Sequence, residues 1–180
     1  YIPDELDRVF GDPRVRVVFA DGRFFTKQKA ADGEPAYDVI IVNLPNPGTI
    51  LINRFFTKEF FGEAQSLLKP DGVFSTRLAF SPDYLGRELE NLGASVYQSL
   101  HSVFNHVVVL PEYEIFYIAS QQRPAILKER LEQRGIKARF ATAQYIDYRL
   151  TTDRIPQVLK AFRENTSARI NRDEQPAACF

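Results

Sequence analysis

Two asparagines, Asn43 and Asn46, directly follow an apolar stretch of the chain. Residues 38–42 are almost all apolar and mostly β-branched, which is typical of a strand buried on both faces. The next residues, 43–48, read Asn-Leu-Pro-Asn-Pro-Gly and favour a turn. Because ligands of open α/β sheets bind beyond the carboxyl ends of such strands, we predict that both amides line a ligand crevice. The alternative is a purely structural role, since Asn is a common turn residue beside Pro and Gly.

The composition excludes several classes of function. The chain has 180 residues, of which 44% are hydrophobic, and its 23 basic residues balance its 23 acidic ones, so no basic surplus indicates a nucleic-acid partner. One cysteine, Cys179, excludes an internal disulfide and a multi-cysteine metal site. Two histidines leave little for a zinc site or a Ser-His-Asp triad, and we expect no metal.

Strand and helix patterns alternate along the first two thirds of the chain. We predict strands at residues 15–20, 38–42, 73–79, 106–110 and 115–119, with helices that begin after Thr57 and Ser81 and a polar loop at 26–36. This order predicts an α/β, Rossmann-like, mostly parallel sheet that ends in an antiparallel pair. We assign residues 1–120 to this domain and residues 121–180 to a small α-rich C-terminal appendage, with a helix at 124–134 and another after Thr152.

Several segments, in a fixed order, resemble the spermidine synthase (polyamine aminopropyltransferase) family. They are DPRVRVVFADGR (residues 12–23), YDVIIVNLPNP (37–47), RFFTKEFF (54–61) and LKPDGVF (68–74), and the match covers most of residues 8–120. Three others resemble the bacterial branch in which such a domain is fused to membrane-spanning segments: SVYQSLHSVF (95–104), YIDYRLT (145–151) and NRDEQP (171–176).

The resemblance implies an S-adenosylmethionine methyltransferase-type fold with decarboxylated S-adenosylmethionine as co-substrate and no tightly bound cofactor. In this family the aminopropyl group passes to an amine such as putrescine. Asp21 and Gly22 match the pair that holds the adenine. Asn43 matches the aspartate that positions and deprotonates the amine, and Asn46 matches a second acid that helps to hold the diamine.

Further residues are candidates for the substrate site. Glu112, Tyr113 and Glu114 lie on a connection that we expect to overhang the crevice, where carboxylates can recruit a cationic amine; the alternative is that they are simply solvated loop residues. Tyr84 and Arg77 are predicted to line the site, with a structural role as the alternative. We expect His101 and His106 to be structural.

Two departures from the family pattern weaken the predicted chemistry. An amine with a pKa of about 10 arrives protonated, and a carboxamide at Asn43 or Asn46 cannot accept its proton. The Gly-rich loop after the family's first strand is also absent, because no two glycines lie closer than seven residues. Two alternatives therefore stay open: a non-catalytic ligand-binding or regulatory domain, and an S-adenosylmethionine-dependent methyltransferase.

The sequence also indicates a larger setting. The chain contains no methionine, and we expect it to be a piece of a longer protein that supplies the family's N-terminal strands. We predict an unusual strand order or a homodimer, since the family's central strand has no counterpart here. We expect a soluble domain, on the cytoplasmic side, of a protein whose membrane-spanning segments lie outside this fragment.

Overall fold

The computed structural model describes residues 8–79, 86–112, 114–123, 133–135 and 142–178. Within these residues a sheet is formed by β1 (Tyr37–Val42), β2 (Leu68–Ala79), β3 (His106–Pro111) and β4 (Glu114–Ser120), in the order β1-β2-β4-β3. β1 pairs with β2 in parallel, whereas β4 pairs antiparallel with both β2 and β3. The α/β class and the final antiparallel pair are therefore confirmed, and one of the three described strand pairs is parallel.

Helices connect and cover these strands. They are α1 (Gly22–Ala31), α2 (Ile50–Asn53), α3 (Lys58–Leu67), α4 (Arg87–His101), α5 (Ala143–Leu150) and α6 (Arg154–Glu164). The predicted cap at Thr57 is confirmed, because its hydroxyl accepts a hydrogen bond from the Phe60 amide at 3.3 Å. α3 buries its 3–4-spaced apolar residues Phe60, Phe61, Ala64 and Leu67.

The prediction of a strand at residues 15–20 is wrong. The stretch belongs to no sheet, although its composition is apolar and β-branched. A strand needs a neighbour with which to exchange backbone hydrogen bonds, and β1 pairs only with β2 among the described residues.

Three predicted helix boundaries also differ from the structure. The loop expected at 26–36 is helical as far as Ala31, because Asp21 caps α1 and the Lys, Gln and Ala residues that follow favour a helix. α4 begins at Arg87, after an N-cap at Gly86, rather than at the expected Ser81-Pro-Asp start; residues 80–85 lie outside the described residues. α6 begins at Arg154, one residue later than a cap at Thr152 implies; the Thr152 hydroxyl accepts a hydrogen bond from the Arg154 amide at 3.5 Å, whereas the Asp153 side chain makes no cap hydrogen bond. Most of the helix predicted at 124–134 lies outside the described residues.

One face of the sheet carries the hydrophobic core. The pairs Phe74–Ala119, Thr76–Tyr117 and Leu78–Ile115 point to the same side and are buried. On that side the Phe74 ring contacts Phe61 of α3 at 5.4 Å between centroids. Tyr117 donates a hydrogen bond to the Gly93 carbonyl of α4 at 3.0 Å and stacks on Phe162 of α6 at 6.4 Å. α3, α4 and α6 therefore cover this face together.

The C-terminal residues pack on the same core. Phe162 is fully buried in it, and the Asn171 side chain is fully buried between α4 and the loop before α3. The Asn171 amide donates to Asn53 Oδ1 at 2.9 Å and to the Phe56 carbonyl at 3.0 Å, and it accepts from the Ala177 amide at 2.8 Å. The division of the chain at residue 120 stays a prediction.

Candidate active site at the carboxyl edge of the sheet

Asn43, Arg77 and Glu114 come together at one edge of the sheet. Asn43 follows the last residue of β1, Arg77 lies near the end of the parallel strand β2, and Glu114 begins the antiparallel strand β4. Arg77 Nε donates a hydrogen bond to Asn43 Oδ1 at 2.6 Å, and Arg77 Nη1 forms an ion pair with Glu114 Oε1. The strand order β1-β2-β4 therefore assembles a polar cluster where the sequence predicts a ligand crevice.

This contact fixes the orientation of the Asn43 amide. Because Arg77 Nε can only donate, Asn43 must present its oxygen to the guanidinium and turn its NH2 group elsewhere. The Asn43 side chain is exposed, and its nitrogen makes no hydrogen bond within the described part of the chain. The Asn43 nitrogen thus keeps its N–H donors for an incoming molecule.

Asn46 has a different environment, because its amide is bonded to the end of β2. Its Oδ1 accepts from the Ala79 amide at 2.7 Å, and its Nδ2 donates to the Ala79 carbonyl at 3.2 Å. The side chain therefore forms the two hydrogen bonds that a neighbouring strand would form, and it satisfies both backbone groups of Ala79. This geometry supports the structural alternative for Asn46, whose predicted contact with a diamine stays a prediction.

Asp21 and Gly22 lie at the N-terminus of α1. Asp21 accepts from the Phe24 amide at 3.0 Å as the helix cap and from Arg54 Nη2 at 2.5 Å. The hydrogen bond from Arg54, followed by that from the Phe24 amide, holds the pKa of Asp21 below its usual range. A Cβ atom at Gly22 would lie 3.4 Å from Phe55, which is an ordinary van der Waals contact.

The remaining predicted residues are only partly described. Glu112 forms an ion pair with Arg149 of α5, whose guanidinium lies 4.9 Å from the centre of the Tyr145 ring. Tyr84 and Tyr113 lie outside the described residues. His101 packs on Tyr97, with ring centroids 5.7 Å apart, and no contact links it to the cluster.

The sequence analysis predicted Arg77 at the site but missed the pairing of the carboxylates with arginines. Each of the carboxylates Asp21, Glu112 and Glu114 is paired with an arginine from another part of the chain: Arg54, Arg149 and Arg77, respectively. Opposite charges so close together largely cancel the field that would attract a cationic amine. Arg77 was among the predicted site residues, but nothing local in the sequence signals any of the three pairings.

Within the described ranges, no helix is long and apolar enough to cross a membrane, and no group of three or more His, Cys, Asp or Glu residues could hold a metal ion.

Comparison with known proteins gives a consistent result. A polyamine aminopropyltransferase from Pyrobaculum calidifontis is 30% identical over 154 residues, which are 80% of this chain and 53% of that protein. A spermidine synthase solved in complex with the transition state analogue AdoDATO superposes with a TM-score of 0.66 at 22% identity, over 88% of this chain and 54% of the other. Human methyltransferase-like protein 13 in complex with SAH gives a TM-score of 0.56 at 24% identity, over 81% of this chain and 65% of the other.

These matches establish a Rossmann-like fold of the type shared by spermidine synthases and methyltransferases. The chain spans about half the length of the curated relatives that it matches. The model of the spermine/spermidine synthase domain matches residues 1–126, well over half of the chain. The chain therefore belongs to the spermine/spermidine synthase domain family.

Proposed function

We propose that this chain is the part of an aminopropyltransferase-like domain that receives the amine. The observation that supports this proposal is the cluster of Asn43, Arg77 and Glu114 at the carboxyl edge of the parallel strand pair. Family membership supports decarboxylated S-adenosylmethionine as the co-substrate. The adenosine end would contact Asp21 and Gly22 at the start of α1, and an amine such as putrescine would approach Asn43.

The proposed reaction is a direct displacement. The amine nitrogen attacks the carbon next to the sulfonium, the carbon–sulfur bond breaks, and its electron pair stays on sulfur as methylthioadenosine leaves. The attacking amine must lose one proton. Asn43 cannot accept it, so the proton passes to water or, when Arg77 moves away, to Glu114. Loss of a positioned base commonly costs about 10²–10⁴-fold in rate, and we expect slow transfer in which orientation contributes most.

The contacts also favour a second candidate function, a non-catalytic module that binds a small ligand. Arg77 engages the Asn43 oxygen, and the carboxylates at this edge are paired with arginines. Such a site offers neutral hydrogen bonds and little attraction for an ammonium group. A test of function must therefore measure nucleotide binding and group transfer separately.

Three features of the full protein are proposed without support from the structure. They are a parent protein with membrane-spanning segments, placement of this domain on the cytoplasmic side, and association as a homodimer.

Calorimetry with methylthioadenosine tests the proposed nucleotide site. We expect binding to the wild-type chain and at least about tenfold weaker binding to Asp21→Asn, because Asn keeps the helix cap but removes the charge that accepts hydrogen bonds. Asp12→Asn is the matched control, since Asp12 is also an aspartate bound to an arginine, Arg14, at 2.7 Å. No heat at millimolar ligand, or equal weakening by both variants, overturns the proposal.

Transfer to putrescine separates the two candidate functions. Release of methylthioadenosine that depends on both decarboxylated S-adenosylmethionine and putrescine supports the enzyme. Nucleotide binding without any release supports the binding module.

A further inference from the structure

Arg23, the second residue of α1, directly follows the two residues that the proposed function assigns to the adenosine end of the co-substrate. Only 12% of its side chain is exposed, and its guanidinium lies over the Phe60 ring, 5.2 Å from the centroid. Nη1 donates to the Arg54 carbonyl at 3.2 Å, and Nη2 forms ion pairs with Asp173 Oδ2 at 2.7 Å and Glu63 Oε1 at 3.3 Å. A cation that is so enclosed depends on close anionic partners.

Asp173 connects Arg23 to the beginning of α3. Its Oδ2 faces Arg23, while its Oδ1 accepts a hydrogen bond from the Thr57 hydroxyl at 2.6 Å. Two residues earlier, the Asn171 carbonyl accepts from the Lys58 amide at 2.8 Å. The chain around Asp173 is therefore bound to the start of α3 at two points, which fixes the Asp173 carboxylate opposite α1.

Glu63 is the weaker of the two anionic partners. Its Oε1 is farther from Arg23 Nη2 than Asp173 Oδ2 is, and its Oε2 is buried without a hydrogen-bond partner within the described residues. Burial raises the pKa of Glu63, which disfavours the charged form. The fixed position of Arg23 therefore depends mainly on Asp173.

Two routes connect Arg23 to Asp21. Along the chain, only Gly22 separates them. Through space, Arg23 holds the Arg54 carbonyl, and the Arg54 guanidinium donates to Asp21 at 2.5 Å. Asp21 also caps α1 by accepting from the Phe24 amide, so its position follows that of the first turn of the helix.

We propose that Asp173 is a positioning residue for the nucleotide end of the site, because it holds Arg23 and thereby fixes Asp21. This inference rests on the proposed function, in which Asp21 contacts the adenosine of the co-substrate. It gives a functional role to the C-terminal part of the chain, since Asp173 lies 150 residues from Arg23 in the sequence.

Amide hydrogen exchange in the ligand-free chain tests whether Asp173 positions α1. Asp173→Asn can still accept from the Thr57 hydroxyl, but it removes the negative charge that faces Arg23. We expect the Phe24 and Phe25 amides, in the first turn of α1, to exchange about threefold faster, as the loss of a partly exposed ion pair implies.

Asp32→Asn is the matched control. Asp32 lies at the other end of α1 and pairs with Lys29 at 3.0 Å, so its loss should leave the first turn unchanged. Equal exchange rates in the wild type and Asp173→Asn, or equal acceleration by both variants, overturns the positioning role.

The pKa of Asp21, followed by NMR titration, is a second readout without ligand. Removal of the negative charge at Asp173 would by itself lower this pKa. We expect it instead to rise towards its ordinary value in Asp173→Asn, because Arg54 is then held less firmly beside Asp21. A further decrease would contradict the connection through Arg54.

Calorimetry with methylthioadenosine tests the consequence for the site. We expect Asp173→Asn and Arg23→Gln each to bind about fivefold more weakly than the wild type. Because Asp173 acts through Arg23, the double variant should bind no more weakly than Arg23→Gln alone, whereas two independent losses would add.

The outcomes separate this inference from the proposed function. Full-strength binding by Asp173→Asn, or an additive loss in the double variant, overturns the role of Asp173 and leaves the proposed function standing. Absence of binding by the wild type overturns the proposed nucleotide site and, with it, the nucleotide role of Asp173.

Discussion

Asn46→Asp is the substitution for which family resemblance and structure predict opposite results. The resemblance implies that an acid at this position helps to hold the diamine. The structure uses both the donor and the acceptor of the Asn46 amide on Ala79. A carboxylate can still accept from the Ala79 amide, but it cannot donate to the Ala79 carbonyl and places a negative oxygen beside it.

The size of the effect follows from this one lost bond. An intramolecular hydrogen bond contributes about 0.5–1.5 kcal/mol, and leaving its partner unsatisfied adds to the loss. We therefore expect Asn46→Asp to lower the free energy of unfolding by about 1–2 kcal/mol. At about 2–4 °C per kcal/mol for a chain of this length, the unfolding temperature should fall by several degrees.

Urea and thermal unfolding at neutral pH measure this loss, with Asn43→Asp as the matched control. Asn43 is exposed, and its oxygen already accepts from Arg77, so a carboxylate there adds an exposed ion pair that contributes about 0–1 kcal/mol. The reasoning is refuted if Asn46→Asp is as stable as the wild type, or if Asn43→Asp is the more destabilising of the two.

Two further predictions concern packing and charge. Gly93→Ala should destabilise the protein by about 1–3 kcal/mol in urea unfolding, because the new Cβ would lie 2.5 Å from Phe162. Gly62→Ala, in the open on α3, should instead stabilise it by about 0.5–1 kcal/mol, and equal effects would contradict the packing described. The lowered pKa of Asp21 means that its stabilising contribution is present above about pH 4 and is lost as the pH falls further. Arg54→Gln should return its NMR titration midpoint towards the ordinary value, and an unchanged midpoint would exclude Arg54 as the cause.

The elements with strong local signals were predictable from the sequence. Thr57 and the 3–4-spaced phenylalanines of α3 are local features, and α3 forms where they predict it. The strand predicted at residues 73–79 begins earlier, at Leu68. The stretch at residues 15–20 has an equally strong strand composition but forms no strand. Strand pairing depends on a neighbour that is distant in the sequence, so composition alone could not predict whether residues 15–20 form a strand.

The sequence predicted the position of Asn43, which depends on a single strand, but not the contacts between site residues on different strands. Asn43 follows directly from the end of β1. Its contact with Arg77 requires β2 to pair beside β1, and the Arg77–Glu114 pair requires β4 to pair next to β2. The two hydrogen bonds between the Asn46 side chain and the Ala79 backbone require the parallel register of β1 and β2. These relations depend on strand order and register, which no local pattern encodes.

The most direct test of the central claim is the rate of aminopropyl transfer to putrescine by Asn43→Asp, compared with the wild type. A carboxylate at this position can attract the ammonium group and accept its proton, so we expect a gain of about 10²-fold. This lies at the lower end of the range for a positioned base because Arg77 also pairs with the new charge. Asn46→Asp should give no gain. An unchanged rate in Asn43→Asp, with methylthioadenosine binding and stability intact, would contradict the assignment of Asn43 to the amine end of the site.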